Sequence, residues 1–231
     1  MRVFAISDLH LSINNPKPMN IFGPTWENYV DDIFADWDKK VTDDDMVIVA
    51  GDISWAMNLE DAVCDLELIG KNKGKKIIVR GNHDYWWSTI SKVRGVLPPN
   101  FYALQNDAIK IEDKVFCGSR AWSVPEKGEP TPEDKKILDR EVIRLRMSFE
   151  KAKALATNGE KIIAILHYPP FNSKREDSDF TRLIEEFGIT TVVYGHLHGN
   201  QCKSDLVVNK NGVTYYLTSC DKLGNKLVEI V

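Results

Sequence analysis

The side chains with the clearest capacity for chemistry are the five histidines of the chain, and each of them lies at the end of a short apolar run. They are His10, His83, His167, His196 and His198. Asp8 lies two residues before His10, and Asn82 and Asp84 flank His83. Asp52 follows another apolar run. Histidines placed without regard to chemistry would not collect at such positions. The set therefore predicts a metal or proton-transfer site.

The spacing of the last two histidines favours two metal ions over one. His196 and His198 are two residues apart, so on extended backbone their side chains point in opposite directions. We expect them to serve two ions roughly 3.5–4 Å apart, with Asp52 available to bridge. Imidazole, carboxylate and one amide oxygen suit Mn, Fe or Zn better than calcium or a thiolate zinc site. The residues leave the choice among these three metals open.

The apolar runs that precede these residues have the composition of buried strands. They are short, rich in β-branched residues and apolar almost throughout, which is typical of strands covered on both faces. They cover residues 3–6, 46–50, 77–79, 115–117, 162–166, 191–194, 213–217 and 227–230. Because open α/β folds assemble their sites at the carboxyl ends of strands, the polar residues that follow these runs are expected to meet.

Helical periodicity separates the early strands. Apolar residues recur at three-and-four spacing over 26–37 and over 59–69, with Asn58 as the N-cap of the second segment. A long surface helix is predicted from Thr131, a capping hydroxyl followed by a proline, to about Thr157. Another helix covers 180–187, and a further one is expected to begin near Tyr85. Residues 213–217 and 227–230 are expected to pair with each other as antiparallel strands.

These elements predict a single domain of the α/β class over residues 1–231. The first half alternates strands and helices, whereas the second half carries more strand, so a mixed second sheet packed on the first is the economical architecture. The irregular segment 12–24 contains three prolines and is long enough to be a rim of the site. Whether this segment and the 131–157 helix shape the pocket is left open.

Composition and charge argue against several partners. Apolar residues make up 43% of the chain and charged residues 28%, the balance of an ordinary globular protein. The formal net charge of -4 argues against nucleic acid or an acidic membrane as a partner. No apolar run approaches the roughly 18 residues of a membrane span. Nothing at the amino terminus has the pattern of a signal peptide, so we expect a cytoplasmic protein. The oligomeric state is left open.

The chain resembles the calcineurin-like metallophosphoesterases in five ordered motifs, Asp8-x-His10, Gly51-Asp52, Gly81-Asn82-His83-Asp84, His167 and Gly195-His196-x-His198. They span nearly the whole chain, and the length suits a small, bacterial-type phosphohydrolase member of the family. The resemblance implies a four-layer α/β sandwich with two mixed β-sheets flanked by helices. It also implies a hydrolase that cleaves a small phosphomonoester or phosphodiester.

The same resemblance assigns roles to the motif residues. One metal would be held by Asp8, His10, Asp52 and His198, and the other by Asp52, Asn82, His167 and His196. Asp52 would bridge, and a shared water or hydroxide would attack phosphorus in line. His83 would stabilise the phosphoryl oxygens or protonate the leaving alkoxide. Asp84 would either orient His83 or a neighbouring loop, or oppose a helix dipole.

Departures from the family pattern argue against some of the activities found in the family. Gly51-Asp52 continues as Ile53-Ser54-Trp55-Ala56, without the further Asp and Arg of phosphoprotein phosphatases, which argues against serine/threonine phosphatase activity. His83 stands where lipid A pathway hydrolases carry Arg. Substrate contacts are expected from Arg120, Trp86 and Tyr168. Arg120 either binds phosphate or is a structural cation, and the rings either pack in the core or meet a flat substrate.

Two alternatives to a small-molecule phosphoesterase stay open. A metal-dependent nuclease predicts a basic groove and salt-sensitive polynucleotide binding, which the net charge argues against. A catalytically silent binding module on the same fold predicts lost metal ligands or a lost catalytic histidine. Here every ligand position is filled and His83 is present.

Overall fold

The computed structural model describes residues 1–199 and 202–230. Its first β-sheet contains five strands, β1 (Val3–Ile6), β2 (Met46–Val49), β3 (Lys75–Val79), β4 (Phe101–Leu104) and β11 (Val228–Glu229). They lie in the order β11-β1-β2-β3-β4. Strands β1 to β4 run parallel, and β11 lies antiparallel to β1 at the edge. This sheet carries the first three motifs at the carboxyl ends of β1, β2 and β3.

The second β-sheet contains six strands, β5 (Ala108–Ile111), β6 (Lys114–Ser119), β7 (Lys161–Leu166), β8 (Thr191–Tyr194), β9 (Val207–Lys210) and β10 (Val213–Leu217). They lie in the order β5-β6-β7-β8-β10-β9. The four central strands run parallel, and the edge strands β5 and β9 are antiparallel to their neighbours. The carboxyl ends of β7 and β8 carry the remaining motifs.

The described residues also form five α-helices, α1 (Tyr29–Lys40), α2 (Leu59–Gly70), α3 (Ile90–Val96), α4 (Pro132–Leu155) and α5 (Asp179–Glu186). Trp37 of α1, Leu66 of α2 and Val93 of α3 share one buried cluster with the first sheet. Phe149 of α4 and Leu183 of α5 share a second cluster with the second sheet. The helices therefore cover the outer face of each sheet.

A third buried cluster fills the space between the two sheets. In β1, Phe4 and Ile6 join the helix-facing cluster, whereas Val3 and Ala5 join Phe116, Ile163 and other residues of the second sheet. This alternation follows from the two-residue period of a strand. The order of layers is helix, sheet, sheet, helix. The predicted four-layer α/β sandwich with two mixed sheets is confirmed.

The predicted helix starts of α2 and α4 are also confirmed. Asn58 Oδ1 accepts a hydrogen bond from Asp61 N at 2.9 Å, and Thr131 Oγ1 accepts one from Asp134 N at 3.1 Å. Both bonds satisfy a backbone donor that the first turn of a helix leaves free. No helix among the described residues has the length and apolar character needed to cross a membrane.

The predicted antiparallel pair at the end of the chain is wrong. Strand β10 pairs with β8 and β9 in the second sheet, whereas β11 pairs with β1 in the first. The connection between β10 and β11 crosses from one sheet to the other, where Ser7 N donates to Thr218 O at 2.8 Å and Cys220 N to Ser7 O at 3.1 Å. The segment therefore completes the edge of the first sheet and does not form a hairpin.

The helix expected near Tyr85 begins later, at Ile90. A tight turn precedes it, since Tyr85 N donates to His83 O at 2.8 Å and Trp87 N to Asp84 O at 3.2 Å. The turn keeps His83 and Asp84 outside any helix. The possibility that Asp84 opposes a helix dipole is thereby removed.

Candidate metal centre

Five parallel strands bring the motif residues to one edge of the sandwich. Asp8 and His10 follow β1, Asp52 follows β2, and Asn82 follows β3. His167 follows β7, and His196 and His198 follow β8. Strands β1, β2 and β3 are neighbours in one sheet, and β7 and β8 are neighbours in the other. The site therefore lies across the junction of the two sheets.

The backbone at these positions is unusual. Asp8, His10, Asp52 and His196 have φ angles of 58°, 48°, 51° and 70°. A residue with a Cβ rarely adopts a positive φ, and each such conformation costs on the order of 1–3 kcal/mol. Strain of this kind persists where surrounding contacts impose it. Here it turns the chain sharply after β1, β2 and β8.

Glycines allow the two central carboxylates to lie against neighbouring backbone. A Cβ on Gly81 would overlap the carboxylate and the backbone nitrogen of Asp52, and a Cβ on Gly195 would lie 2.7 Å from Asp8 Oδ2. Real Cβ contacts are not this short. The glycines of the motifs therefore make room for the acidic side chains.

A first group of side chains could hold a cation. Asp8, His10, Asp52 and His198 each offer one ligand atom, and these atoms lie within 4.8 Å of one another. Both ring nitrogens of His10 and Asp52 Oδ2 are buried without a hydrogen-bond partner among the described residues. Buried polar atoms are normally paired. A divalent cation would satisfy these atoms, so the residues fit a metal ion.

A second group of atoms converges on Asn82 Oδ1. His167 Nε2 lies 2.7 Å from this oxygen and His196 Nδ1 lies 2.8 Å from it, while Asp52 Oδ1 is 3.5 Å from His167 Nε2. His167 Nδ1 lies 2.9 Å from Ala50 O, which can only accept, so this nitrogen carries the proton. In the neutral ring Nε2 then presents a lone pair to Asn82 Oδ1. Two acceptors this close together fit neighbouring ligands of one cation.

The electrostatics of both groups favour neutral histidines, which can bind a metal, but favour an ionised Asp52 only beside a cation. Burial lowers the pKa of His10 to about 3 and that of His196 to about 4, so both rings are neutral at pH 7. Burial, together with the negative charges of Asp8 and Asp84, raises the pKa of Asp52 to about 9. An ionised Asp52 therefore needs a cation beside it.

His83 lies at the site but outside both groups. Its backbone nitrogen donates to Asp52 Oδ1 at 2.8 Å, and its ring is half-buried, 5.5 Å from His10 and 4.5 Å from Trp55 between centroids. Burial lowers the pKa of His83, and the neighbouring imidazoles of His198 and His167 add to this effect. It is the one histidine whose ring nitrogens are in neither group of converging atoms.

Asp84 ties two loops of the site together. Its carboxylate is fully buried and accepts hydrogen bonds from Ile53 N at 2.8 Å, Ser54 N at 3.1 Å and Gly81 N at 2.7 Å. Trp86 Nε1 donates to it at 2.9 Å. Trp86 is only 1% exposed, so the structure does not present its ring, predicted as a substrate contact, to a ligand.

The other predicted substrate contacts lie beside the second group. The ring of Tyr168 is 4.2 Å from that of His196. The guanidinium of Arg120 lies 4.8 Å from the ring of Trp122, and Arg120 O accepts from His167 N at 3.2 Å. Sequence reasoning missed Arg80, whose Nε is buried and has no hydrogen-bond partner among the described residues. Its position between β3 and the motif residue Gly81 is the sequence feature that could have identified it.

Fold and site together define an α/β sandwich with a candidate metal centre at the carboxyl ends of its parallel strands. The sequence profile of the calcineurin-like phosphoesterases matches residues 1–200. The chain belongs to this family, which confirms the resemblance in its motifs. Membership implies divalent metal ions and a phosphorylated substrate.

Comparison with solved structures shows the same fold. A protein of unknown function from Aquifex aeolicus is 16% identical with a TM-score of 0.53, covering 99% of this chain and 95% of that chain. The phosphopantetheinyl hydrolase from Mycobacterium tuberculosis is 15% identical with a TM-score of 0.57, covering 100% of this chain and 95% of that chain. No protein of curated function matches the sequence.

Proposed function

We propose that the protein is a dinuclear metal-dependent phosphoesterase that hydrolyses a small phosphomonoester or phosphodiester. The observation that carries this proposal is the pair of ligand groups that share Asp52. Its Oδ2 lies 3.8 Å from His10 Nε2 in the first group, and its Oδ1 lies 3.5 Å from His167 Nε2 in the second. One carboxylate thus offers an oxygen to each group.

The two groups would hold one divalent ion each, of Mn, Fe or Zn. The first comprises Asp8, His10, Asp52 and His198, and the second comprises Asp52, Asn82, His167 and His196. Bound there, the ions would polarise the phosphoryl oxygens and lower the pKa of an attacking water. The donor set of imidazole, carboxylate and amide oxygen matches these metals.

The remaining residues act on the substrate or on the ligands. His83 lies beside His10 and Asp52, where its ring would stabilise a phosphoryl oxygen or protonate the leaving alkoxide. Asp84 acts as a positioning residue, because its bonds to Ile53 N and Gly81 N fix the loops that carry Asp52 and Asn82. Tyr168 and Arg120 contact the phosphate from the side of the second group.

Hydrolysis of p-nitrophenyl phosphate and of bis-p-nitrophenyl phosphate, each with Mn, Fe, Zn and Mg, tests the proposal. We expect turnover of at least one ester with a transition metal, and His83→Ala should lower kcat at least about a hundredfold. Asp44→Asn, an exposed carboxylate just before β2, serves as the control and should keep full activity. Absence of turnover with every metal would refute the enzyme assignment.

A further inference from the structure

A cleft opens directly beside the first ligand group. Its volume is about 490 Å³, and it is lined by His10, Met19, Phe22, Trp26, Trp55, His83, His198 and Gly199. This volume lies within the range of about 300–1,000 Å³ that is typical of small-molecule sites. Two proposed metal ligands, His10 and His198, line the cleft together with His83, so a group bound there lies directly beside the first ligand group.

The walls of this cleft are apolar. Apart from the three imidazoles, the side chains that line it are a methionine, a phenylalanine and two tryptophans. The indole nitrogen of Trp55 already donates to Met19 Sδ at 3.3 Å. The hydroxyl groups of a sugar or glycerol would lose hydrogen bonds to water here and find few replacements. An apolar or aromatic group would instead gain by leaving water.

Trp55 joins the cleft to the reaction centre. Its ring stacks on His10 with a centroid distance of 4.7 Å and an interplanar angle of 19°, and it lies 4.5 Å from the ring of His83. Lys17 Nζ lies 4.2 Å from the same ring. A flat indole held in this way forms a rigid wall for a planar or apolar group.

The mouth of the cleft is formed by the 3-10 helix Met19–Phe22, within the segment 12–24. The side chain of Phe22 lines the cleft and is 57% exposed, whereas Met19 is 5% exposed. The neighbouring Ile21 is 73% exposed and does not line the cleft. An exposed aromatic side chain at a site mouth gains burial when a ligand is bound.

Resting on the proposed phosphoesterase function, we propose that this cleft binds the alcohol part of the ester, and that this part carries an apolar or aromatic surface. With a phosphoryl group held at the ligand groups and His83, the rest of the ester would extend into the cleft, which His10, His83 and His198 border. The substrate class is therefore an ester of phosphate with an apolar or aryl-bearing alcohol. Esters of glycerol and of simple sugars would bind more weakly, because their hydroxyl groups lose hydrogen bonds to water in this cleft.

Calorimetric titration of the Mn-loaded protein with phosphonates tests this substrate class without turnover, because their carbon–phosphorus bond is not hydrolysed. We expect benzylphosphonate to bind at least about tenfold more tightly than methylphosphonate, and 2-hydroxyethylphosphonate to show no such gain. Phe22→Ala should reduce the benzyl-over-methyl ratio about threefold or more. Ile21→Ala is the matched control and should leave the ratio unchanged.

The binding and hydrolysis measurements together distinguish failure of the cleft assignment from failure of the enzyme assignment. Equal affinity for the benzyl and methyl compounds, in protein that hydrolyses a p-nitrophenyl ester, would overturn the cleft assignment and leave the enzyme assignment standing. A benzyl gain that Phe22→Ala leaves intact would also overturn the cleft assignment. Protein that neither binds inorganic phosphate nor hydrolyses either p-nitrophenyl ester would overturn both.

Discussion

At the scale of single residues, Asp52 connects the two ligand groups. It is fully buried, its two oxygens face different ligand groups, and one of them has no hydrogen-bond partner among the described residues. Its position depends on the absence of a side chain at Gly81, which lies against the carboxylate. A methyl group at Gly81 therefore tests the geometry without removing a ligand.

Replacement of Gly81 by Ala should displace Asp52 and lower the metal content and turnover together. We expect Gly81→Ala to destabilise the protein by about 1–3 kcal/mol, because the Cβ overlaps buried backbone. The measurements are elemental analysis, p-nitrophenyl ester hydrolysis and urea unfolding. Gly95→Ala is the control, since a Cβ there meets nothing within 4 Å, and it should raise stability by about 0.5 kcal/mol. Full metal content in Gly81→Ala would contradict the geometry.

The histidines and carboxylates could be predicted from the sequence because each comes directly after a buried strand. The walls of the cleft could be predicted only in part. The segment 12–24 was expected to be a rim of the site, but it has no hydrophobic periodicity that would single out Met19 and Phe22. Trp26 was assigned to the helix over 26–37, whereas that helix begins at Tyr29 and Trp26 lines the cleft. Trp86 was predicted as a substrate contact because its ring could stack on a flat ligand. Its indole nitrogen instead donates a hydrogen bond to Asp84, and the ring is buried in the core.

At the scale of elements, strands covered on both faces could be predicted, whereas the edge strands β4, β5 and β9 could not, and the edge strand β11 was predicted with the wrong partner. Strands β1 and β2 and the last three residues of β3 are continuous apolar runs, because helices cover one face and the second sheet covers the other. The edge strands β5 and β9 are only four residues long and each has a single buried position, so their apolar pattern is weak. Strand β11 has two residues, and its partner depends on a distant edge.

The turn before β2 contains a carboxylate, Asp45, whose contribution to the free energy of unfolding depends on pH. Asp45 accepts hydrogen bonds from Arg2 Nη2 at 2.6 Å and from Thr42 N at 2.9 Å. Burial opposes ionisation of Asp45, but the bonds from Arg2 and Thr42 outweigh it and lower the pKa to about 2. Because the folded pKa lies below the unfolded one, this contribution is present above about pH 4 and is lost as the pH falls toward 2.

We therefore expect Asp45→Asn to lower the free energy of unfolding by about 2 kcal/mol at pH 7, and by less at pH 3. Urea unfolding at pH 7, 5 and 3 measures the difference. Asp44→Asn removes an exposed carboxylate one residue earlier and should change stability little at any of these pH values. A difference between wild type and Asp45→Asn that stays constant from pH 7 to pH 3 would speak against this role of Asp45.

At the scale of the whole molecule, the site depends on the packing of the two sheets against each other. The first sheet supplies Asp8, Asp52 and Asn82, and the second supplies His167 and His196. Phe116 of β6 is fully buried in the cluster between the sheets. That residues 1–231 form one domain, and that the protein works in the cytoplasm, stay predictions.

Shortening Phe116 should weaken both sheets and the site at once. We expect Phe116→Ala to cost about 3–5 kcal/mol in urea unfolding, because it leaves a cavity between the sheets. Metal affinity should fall as well, since the ligands come from both sides of that cavity. Ile143→Ala, on α4 and 60% exposed, should change stability by less than about 0.5 kcal/mol. Unchanged metal affinity in a clearly destabilised Phe116→Ala protein would argue against coupling between sheet packing and the site.

Asp52 is proposed to belong to two metal sites at once, while His83 belongs to neither. Elemental analysis of reconstituted wild type, Asp52→Asn and His83→Ala tests these two assignments most directly. We expect about two equivalents of transition metal per chain in wild type and in His83→Ala, and clearly fewer in Asp52→Asn. Fewer than about one equivalent in wild type, or equal metal loss in both variants, would contradict these assignments.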